Sequence, residues 1–151
     1  MSFSRPERSG SEVRPSQLAT KVTADEEGRV KEVDLRDCRQ MKELPASVGR
    51  LQALQKLLLE GCSGLTSLPA EVGNCVKLVL LNLFSCHGLT SLPAEVGSCV
   101  KLETLILGGC SGLTSLPDLS GLEKLEVQFL PEAMKPWEER GRKAFALPTE
   151  G

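Results

Sequence analysis

The sequence predicts an α/β solenoid, with a short parallel sheet on a concave side and helical or 3₁₀ turns on the convex side. A hairpin is expected at its amino-terminal end and a helical cap at its carboxyl-terminal end. Three observations carry this expectation. Val30, Leu54, Leu78 and Leu102 fall in one column at intervals of 24, and Leu122 follows after 20. The segment from Cys62 to Cys75 returns from Cys86 to Cys99 with two changes, Ser63 to His87 and Asn74 to Ser98, and its first eight residues return unchanged from Cys110 to Pro117. Within each unit a stretch such as Leu78 to Leu83 sets two leucines two residues apart, the alternation of a strand with one buried face.

The elements follow in chain order. Residues 1–17 read as a polar, disordered tail, and residues 18–33 as a cap in which Lys21 to Thr23 and Arg29 to Val33 pair across a turn at Asp25 to Gly28. The repeats span residues 30–129, with starts at 30, 54, 78, 102 and 122. In their strands Leu57 and Leu59, Leu81 and Leu83, Leu105 and Leu107, and Leu125 and Val127 point inward. Cys38, Cys62, Cys86 and Cys110 stand where the chain must bend away, a buried place that suits a small, weakly hydrogen-bonding side chain. Leu65, Leu89 and Leu113, then Leu68-Pro69, Leu92-Pro93 and Leu116-Pro117, pin the return path.

Each proline can open a helical turn over the following Ala-Glu-Val, with Gly73 and Gly97 as its stops. The unit from Leu102 to Gly121 omits four residues of this stretch, so the arc is expected to tighten there. A coil of this kind cannot bury its leucines alone, and stacking at the strand spacing of about 4.8 Å closes a continuous core. Residues 130–151 read as a cap. Pro136 opens a helix on which Met134, Trp137, Ala144 and Phe145 share a face, Gly141 allows close approach, and acids precede bases along the dipole.

The unit L-x-x-L-x-L-x-x-C-x-x-L-x-x-L-P, matched five times over about two thirds of the chain, resembles the leucine-rich repeat family. The resemblance implies a curved solenoid in which short convex segments splay the outer surface. Cysteine at the bend column, where many members use Asn, and the L-x-x-L-P-x-x-[VI]-G element look like cytoplasmic members, including plant intracellular immune receptors and Ras-pathway scaffolds. These 151 residues contain about five repeats and no nucleotide-switch domain, so neither immune sensing nor Ras binding is carried over.

Composition narrows the function. A net charge of −2 offers no basic field for nucleic acid, so no nucleic-acid partner is expected. The longest apolar run, Val76 to Phe84, is broken by Lys77 and Asn82 and falls well short of the roughly 18 residues of a membrane span, so a soluble protein is expected. No secretory signal is legible. Arg5, Arg8 and Arg14 faintly suggest an import segment, against which Glu7, Glu12, Pro6 and Pro15 count, and a cytoplasmic, reducing compartment is the preferred reading.

Catalytic parts are missing. The single His, His87, occupies a column filled elsewhere by Arg39, Ser63 and Ser111, and no nucleophile, phosphate-loop or zinc-protease motif occurs. Glu71 and Glu95 are repeat copies read as a solvated convex stripe. The six cysteines fall in two columns, Cys38, Cys62, Cys86, Cys110 and Cys75, Cys99, at 24-residue intervals and not in the close pairs of zinc sites, so no metal and no cofactor is expected. Stacked coils do bring like residues to disulfide range, but two reduced columns filling the core are the simpler reading.

What varies is the concave face. Repeats of near-identical scaffold differ there most: Asp34, Leu58, Asn82, Ile106 and Glu126 in one column, Glu32, Lys56, Leu80, Thr104 and Lys124 in a second, and Arg36, Glu60, Phe84, Gly108 and Gln128 in a third. Leu58, Leu80, Phe84 and Ile106 form an apolar centre, with Arg36, Glu60, Asn82 and Glu126 around it, as in an interface with a polar rim. The expected function is a non-enzymatic module, monomeric when free, that binds another protein or peptide on this face. The alternative is a structural subunit whose face is permanently occupied, and a face with no partner or one covered by the tail remains the plain reading of the same residues.

Overall fold

The computed structural model describes residues 21–147. The polar tail expected at residues 1–17, the first three residues of the hairpin cap and residues 148–151 lie outside that range. The strands are β1 (Lys21–Ala24), β2 (Val30–Asp34), β3 (Lys56–Leu58), β4 (Leu80–Asn82), β5 (Thr104–Ile106), β6 (Ser115–Leu116), β7 (Glu126–Gln128) and β8 (Phe145–Ala146), with one helix, α1 (Lys135–Glu139). A six-stranded sheet has the order β1-β2-β3-β4-β5-β7, and β6 pairs with β8 in a second, two-stranded sheet. Among the described residues no helix is long and apolar enough to cross a membrane.

Parallel pairing follows from the coil. Each strand leaves the sheet, returns along the convex side and re-enters in the same direction, so β2, β3, β4, β5 and β7 run parallel to one another. Leu57, Leu81 and Leu105 stand in register and are fully buried, as are Leu59, Leu83 and Leu107. The hairpin β1–β2 is antiparallel and starts the stack, its turn held by the Asp25 carboxylate, which accepts the N–H of Glu27 and of Arg29 at 2.9 Å. Three-residue strands are short, and a second line of backbone bonds supports them across the coil. Thr66 N–H donates to Lys42 O, Thr90 to Thr66 and Thr114 to Thr90, at 3.1, 3.3 and 2.9 Å.

The convex turns are 3₁₀ helices over Ala46–Arg50, Ala70–Asn74 and Ala94–Ser98, each entered from an extended proline and burying Val48, Val72 or Val96. The glycines inside them have a different role from the stops expected. The turn continues past Gly73 to Asn74, and a Cβ on Gly73 would lie 2.6 Å from the Glu95 carbonyl oxygen of the next coil. Close approach between coils is therefore what excludes a side chain there. A left-handed residue marks the bend before each cysteine of the first column: Asp37, Gly61, Ser85 and Gly109 have φ of 63, 79, 64 and 74°.

All six cysteines are free and buried. The thiols of Cys62, Cys86 and Cys110 donate to the carbonyl oxygens of Leu35, Leu59 and Leu83 in the preceding coil at 3.0, 3.2 and 3.1 Å. Those of Cys75 and Cys99 reach Val48 O and Val72 O at 3.4 and 3.5 Å. Burial pushes Cys75 and Cys110 up to about 11 and Cys86 and Cys99 up to about 12.

Three sequence expectations are corrected toward the end of the chain. The last strand is shifted: Thr104 pairs with Glu126 and Ile106 with Gln128, an interval of 22 at the strand and not the 20 read from Leu102 to Leu122. The convex 3₁₀ turn is absent between β5 and β7, and β6 stands there instead. In the cap, α1 ends at Glu139, so Ala144 and Phe145 do not share a helical face with Met134 and Trp137. Gly141 has φ 85° and open space around it, so it supplies a left-handed turn, not close approach.

After that turn the chain returns as β8, and Leu147 N–H donates to Thr114 O at 2.7 Å, extending the second line of backbone bonds. Met134 and Trp137 are fully buried, and the indole N–H donates to Pro117 O at 2.9 Å. Arg142 pairs with Glu138 at 2.8 Å and donates to Leu125 O at 2.7 Å, capping a carbonyl beside the last strand.

Trp137→Ala should cost about 3 kcal/mol or more in urea denaturation, with hydrogen exchange between Leu116 and Phe129 accelerating before the rest; unchanged exchange there would remove the capping role. Because folding raises the values of Cys75, Cys86, Cys99 and Cys110, the folded state keeps protons on these four that the unfolded chain releases above about pH 9. Stability should be intact below that pH and fall, by about 1.4 kcal/mol per thiol per pH unit, up to about pH 11–12. Thiol labelling at pH 8 should count few groups before unfolding and six after.

Candidate functional site

The concave surface is the face of the sheet opposite the leucine core, and strand register decides which side chains meet there. Lys56, Leu80 and Thr104 are successive partners, and so are Asp34, Leu58, Asn82 and Ile106. Leu58 and Ile106 therefore flank Asn82, with Leu80 beside them. All four are half-buried, as expected for side chains on an open sheet face that touch one another. Phe84, just past the end of β4, is 38% exposed.

The last strand changes the map. Glu126 is exposed in the column of Thr104, not in that of Ile106, and Gln128 takes the place beside Ile106. Lys124 lies before the strand, two residues ahead of Glu126.

Charge on the face is partly cancelled. Asp34 is only 4% exposed, and its carboxylate accepts two bonds from the Arg36 guanidinium, at 2.9 and 2.7 Å, and a third from the Arg36 backbone N–H at 3.1 Å. Those bonds from Arg36 hold the Asp34 carboxyl below its ordinary value. Arg36 is thereby committed within its own coil. Asn82 repeats the arrangement without charge. Its side-chain oxygen accepts the Phe84 N–H at 3.0 Å, while its amide nitrogen reaches Glu60 at 3.5 Å.

One feature went unread in the sequence. Phe129 has a left-handed backbone, φ 58°, which leaves its ring 68% exposed and edge-on to Phe84 with centroids 6.3 Å apart. Gly108 makes room for the pair, since a Cβ there would lie 2.8 Å from two Phe84 ring atoms and 2.9 Å from the Phe129 Cβ. The available signal was that Phe129 follows Gly109 by the shortened interval of 20 and so continues the column of left-handed bends.

A trough of about 440 Å³ opens beside Phe84, lined by Asp37, Arg39, Glu60, Gly61, Ser63, Phe84, Ser85 and His87. Its shape comes from the second repeat, where Gly61 and Ser63 are smaller than their neighbours on either side. His87 is exposed at this trough. Glu71 and Glu95 are exposed in the first turns of two convex 3₁₀ helices, remote from the sheet face. Among the described residues no group of three or more His, Cys, Asp or Glu is placed to hold a metal ion. The face carries an apolar centre, Leu58, Leu80 and Ile106, with polar and charged side chains around it.

No family model and no curated protein matches the chain. Solved structures do. A leucine-rich repeat protein of Leptospira interrogans is 33% identical, covering 58% of this chain and 22% of that one with a TM-score of 0.46. The leucine-rich repeat domain of the type III effector XopL is 26% identical, covering 65% of this chain and 33% of that one with a TM-score of 0.53. A plant ice-binding protein, 22% identical over 71% of this chain and 35% of its own, has the same fold at a TM-score of 0.52. The chain thus spans 22 to 35% of the lengths of these structures.

The aromatic pair has a direct test. Gly108→Ala should displace the Phe84 ring, at a stability cost of about 1–3 kcal/mol for overpacking. Nuclear Overhauser contacts between Phe84 and Phe129 should weaken; retained contacts would show that the gap at Gly108 is not what seats the ring.

Proposed function

Because the chain is a leucine-rich repeat protein, we propose that it is a non-enzymatic interaction module that holds a segment of another protein on its concave sheet face. The observation that carries this reading is the contrast between scaffold and face. Residues that touch a neighbouring coil repeat almost without change, whereas Leu58, Leu80, Phe84, Ile106, Glu60, Asn82 and Glu126 on the open side differ from coil to coil. A surface selected only for stacking has no reason to vary in that pattern. The half-buried leucines and Ile106 supply desolvation, Phe84 and Phe129 an aromatic anchor, and the charges a rim. Six free, buried thiols support a reducing, cytoplasmic setting.

Phe84→Ala should weaken partner binding by about 2 kcal/mol in calorimetry while leaving the fold intact, because the ring points away from the core. Glu71→Ala and Glu95→Ala on the convex side should leave binding unchanged. Retained binding by Phe84→Ala with Leu80→Ala, together with loss in the convex variants, would move the site to the outer surface. A permanent subunit would differ in a further respect: size exclusion of native lysate would show no free species near 16.3 kDa.

A further inference from the structure

The charges of the concave face are unevenly distributed, and the imbalance specifies a partner chemistry. This inference rests on the concave-face reading above and deepens it. At the amino-terminal end the face is balanced: Glu32 pairs in register with Lys56, Lys21 stands opposite Asp34, and Asp34 is bound to Arg36. Toward the bends beyond β3 and β4 the balance is lost. Glu60 and Asp37 form no ion pair among the described residues; of the cations nearby, Arg36 is engaged with Asp34 and Arg39 offsets only one of the two acids.

Both acids line the trough, and so does the Phe84 ring. Asp37 is held over its floor by a left-handed backbone, so close to Gly61 that a Cβ on that glycine would collide with the carboxylate. Glu60 is oriented by the Asn82 amide. Two carboxylates and an exposed aromatic ring around one trough make a seat for a cation on an apolar stem: the carboxylates attract the charge, and the ring attracts both the charge and the stem. The trough adjoins the apolar centre of the face, because Glu60 is two residues beyond Leu58 and Phe84 two beyond Asn82.

We propose that the concave face takes an extended segment carrying an arginine or lysine, whose head sits between Glu60 and Asp37 with its stem along Phe84, while apolar neighbours in the segment cover Leu58, Leu80 and Ile106. Arg39 lines the same trough and offsets one carboxylate, so the seat keeps one net negative charge, which favours a basic residue of the segment over an acidic one.

The test uses the full chain and a phage-displayed random peptide library. Peptides enriched on the wild type should share an Arg or Lys next to apolar residues. They should bind at least about tenfold more weakly to Asp37→Asn with Glu60→Gln, substitutions that preserve shape and, at position 37, tolerate the left-handed backbone. Thermal melting of that variant checks that the fold is kept. Enriched peptides that lose affinity for Leu80→Ala with Ile106→Ala but not for the acid variant would overturn the cation seat and leave the concave-face reading standing. Peptides indifferent to both variants, or no enrichment at all, would overturn the concave-face reading and this inference with it.

Discussion

Every coil of this protein depends on the next for both of the things a folded chain must do with its interior. Its leucines are buried only when a neighbouring coil covers them, and its backbone polar groups are satisfied largely across the same boundary. The strand bonds meet this need on the concave side, the Thr66, Thr90 and Thr114 line meets it across the coil, and thiols reaching back to carbonyl oxygens add to it inside. The Thr line spans 24 residues and each thiol contact spans 27, and each kind recurs at the 24-residue period, so the coils keep one length wherever stacking is regular. A cysteine suits this work because its thiol fills apolar space and still donates weakly, and burial keeps it protonated and so able to donate.

A stack built on neighbours has two ends where the neighbour is missing, and the two ends are finished differently. At the start β1 pairs backwards with β2 and presents a short edge strand. At the far end β7 is the last strand of the six-stranded sheet among the described residues, and side chains from the cap do the covering. Trp137 seals the core, Arg142 reaches a carbonyl of the last coil, and β8 closes the line begun at Lys42. The helix is too short to perform this alone, which is why the chain turns at Gly141 and comes back across the stack.

The regular coils were legible in the sequence because one column of leucines and one of cysteines determined everything else by periodicity. Parallel register, inward pairs and 3₁₀ turns after Pro45, Pro69 and Pro93 all follow from that spacing. Where the period broke, the reading lost its ruler. Leu122 matched Leu102 as a letter, but the strand that follows is aligned by its backbone bonds to β5, and those place Val127 against Leu105. Turn residues were ambiguous for a related reason. Glycine serves close approach at Gly73 and a left-handed backbone at Gly61 and Gly141, and only the surroundings of the missing side chain tell the two apart. The helix at Pro136 was marked by its start, and its early end was marked by Gly141, the left-handed residue just past the cap Arg140, which the sequence reading assigned to close approach.

The shift in the last coil is also what distinguishes the candidate site from a plain sheet face. A slip of two residues preserves the alternation of a strand, so Leu125 still packs inward while Glu126 and Gln128 remain on the concave side. The slip leaves fewer residues between the strand and the following bend, and the left-handed position falls on Phe129 immediately after β7. In the regular coils that position belongs to small or polar residues beside a cysteine. An aromatic side chain there can only project outward, and with Gly108 leaving a gap in the adjacent coil it meets Phe84 edge-on. The irregular coil thereby places a rigid aromatic pair at the border of an otherwise repetitive face. For the concave-face binding proposed above, this would give a repeat surface a fixed point, so that a bound segment would have one register instead of several equivalent ones.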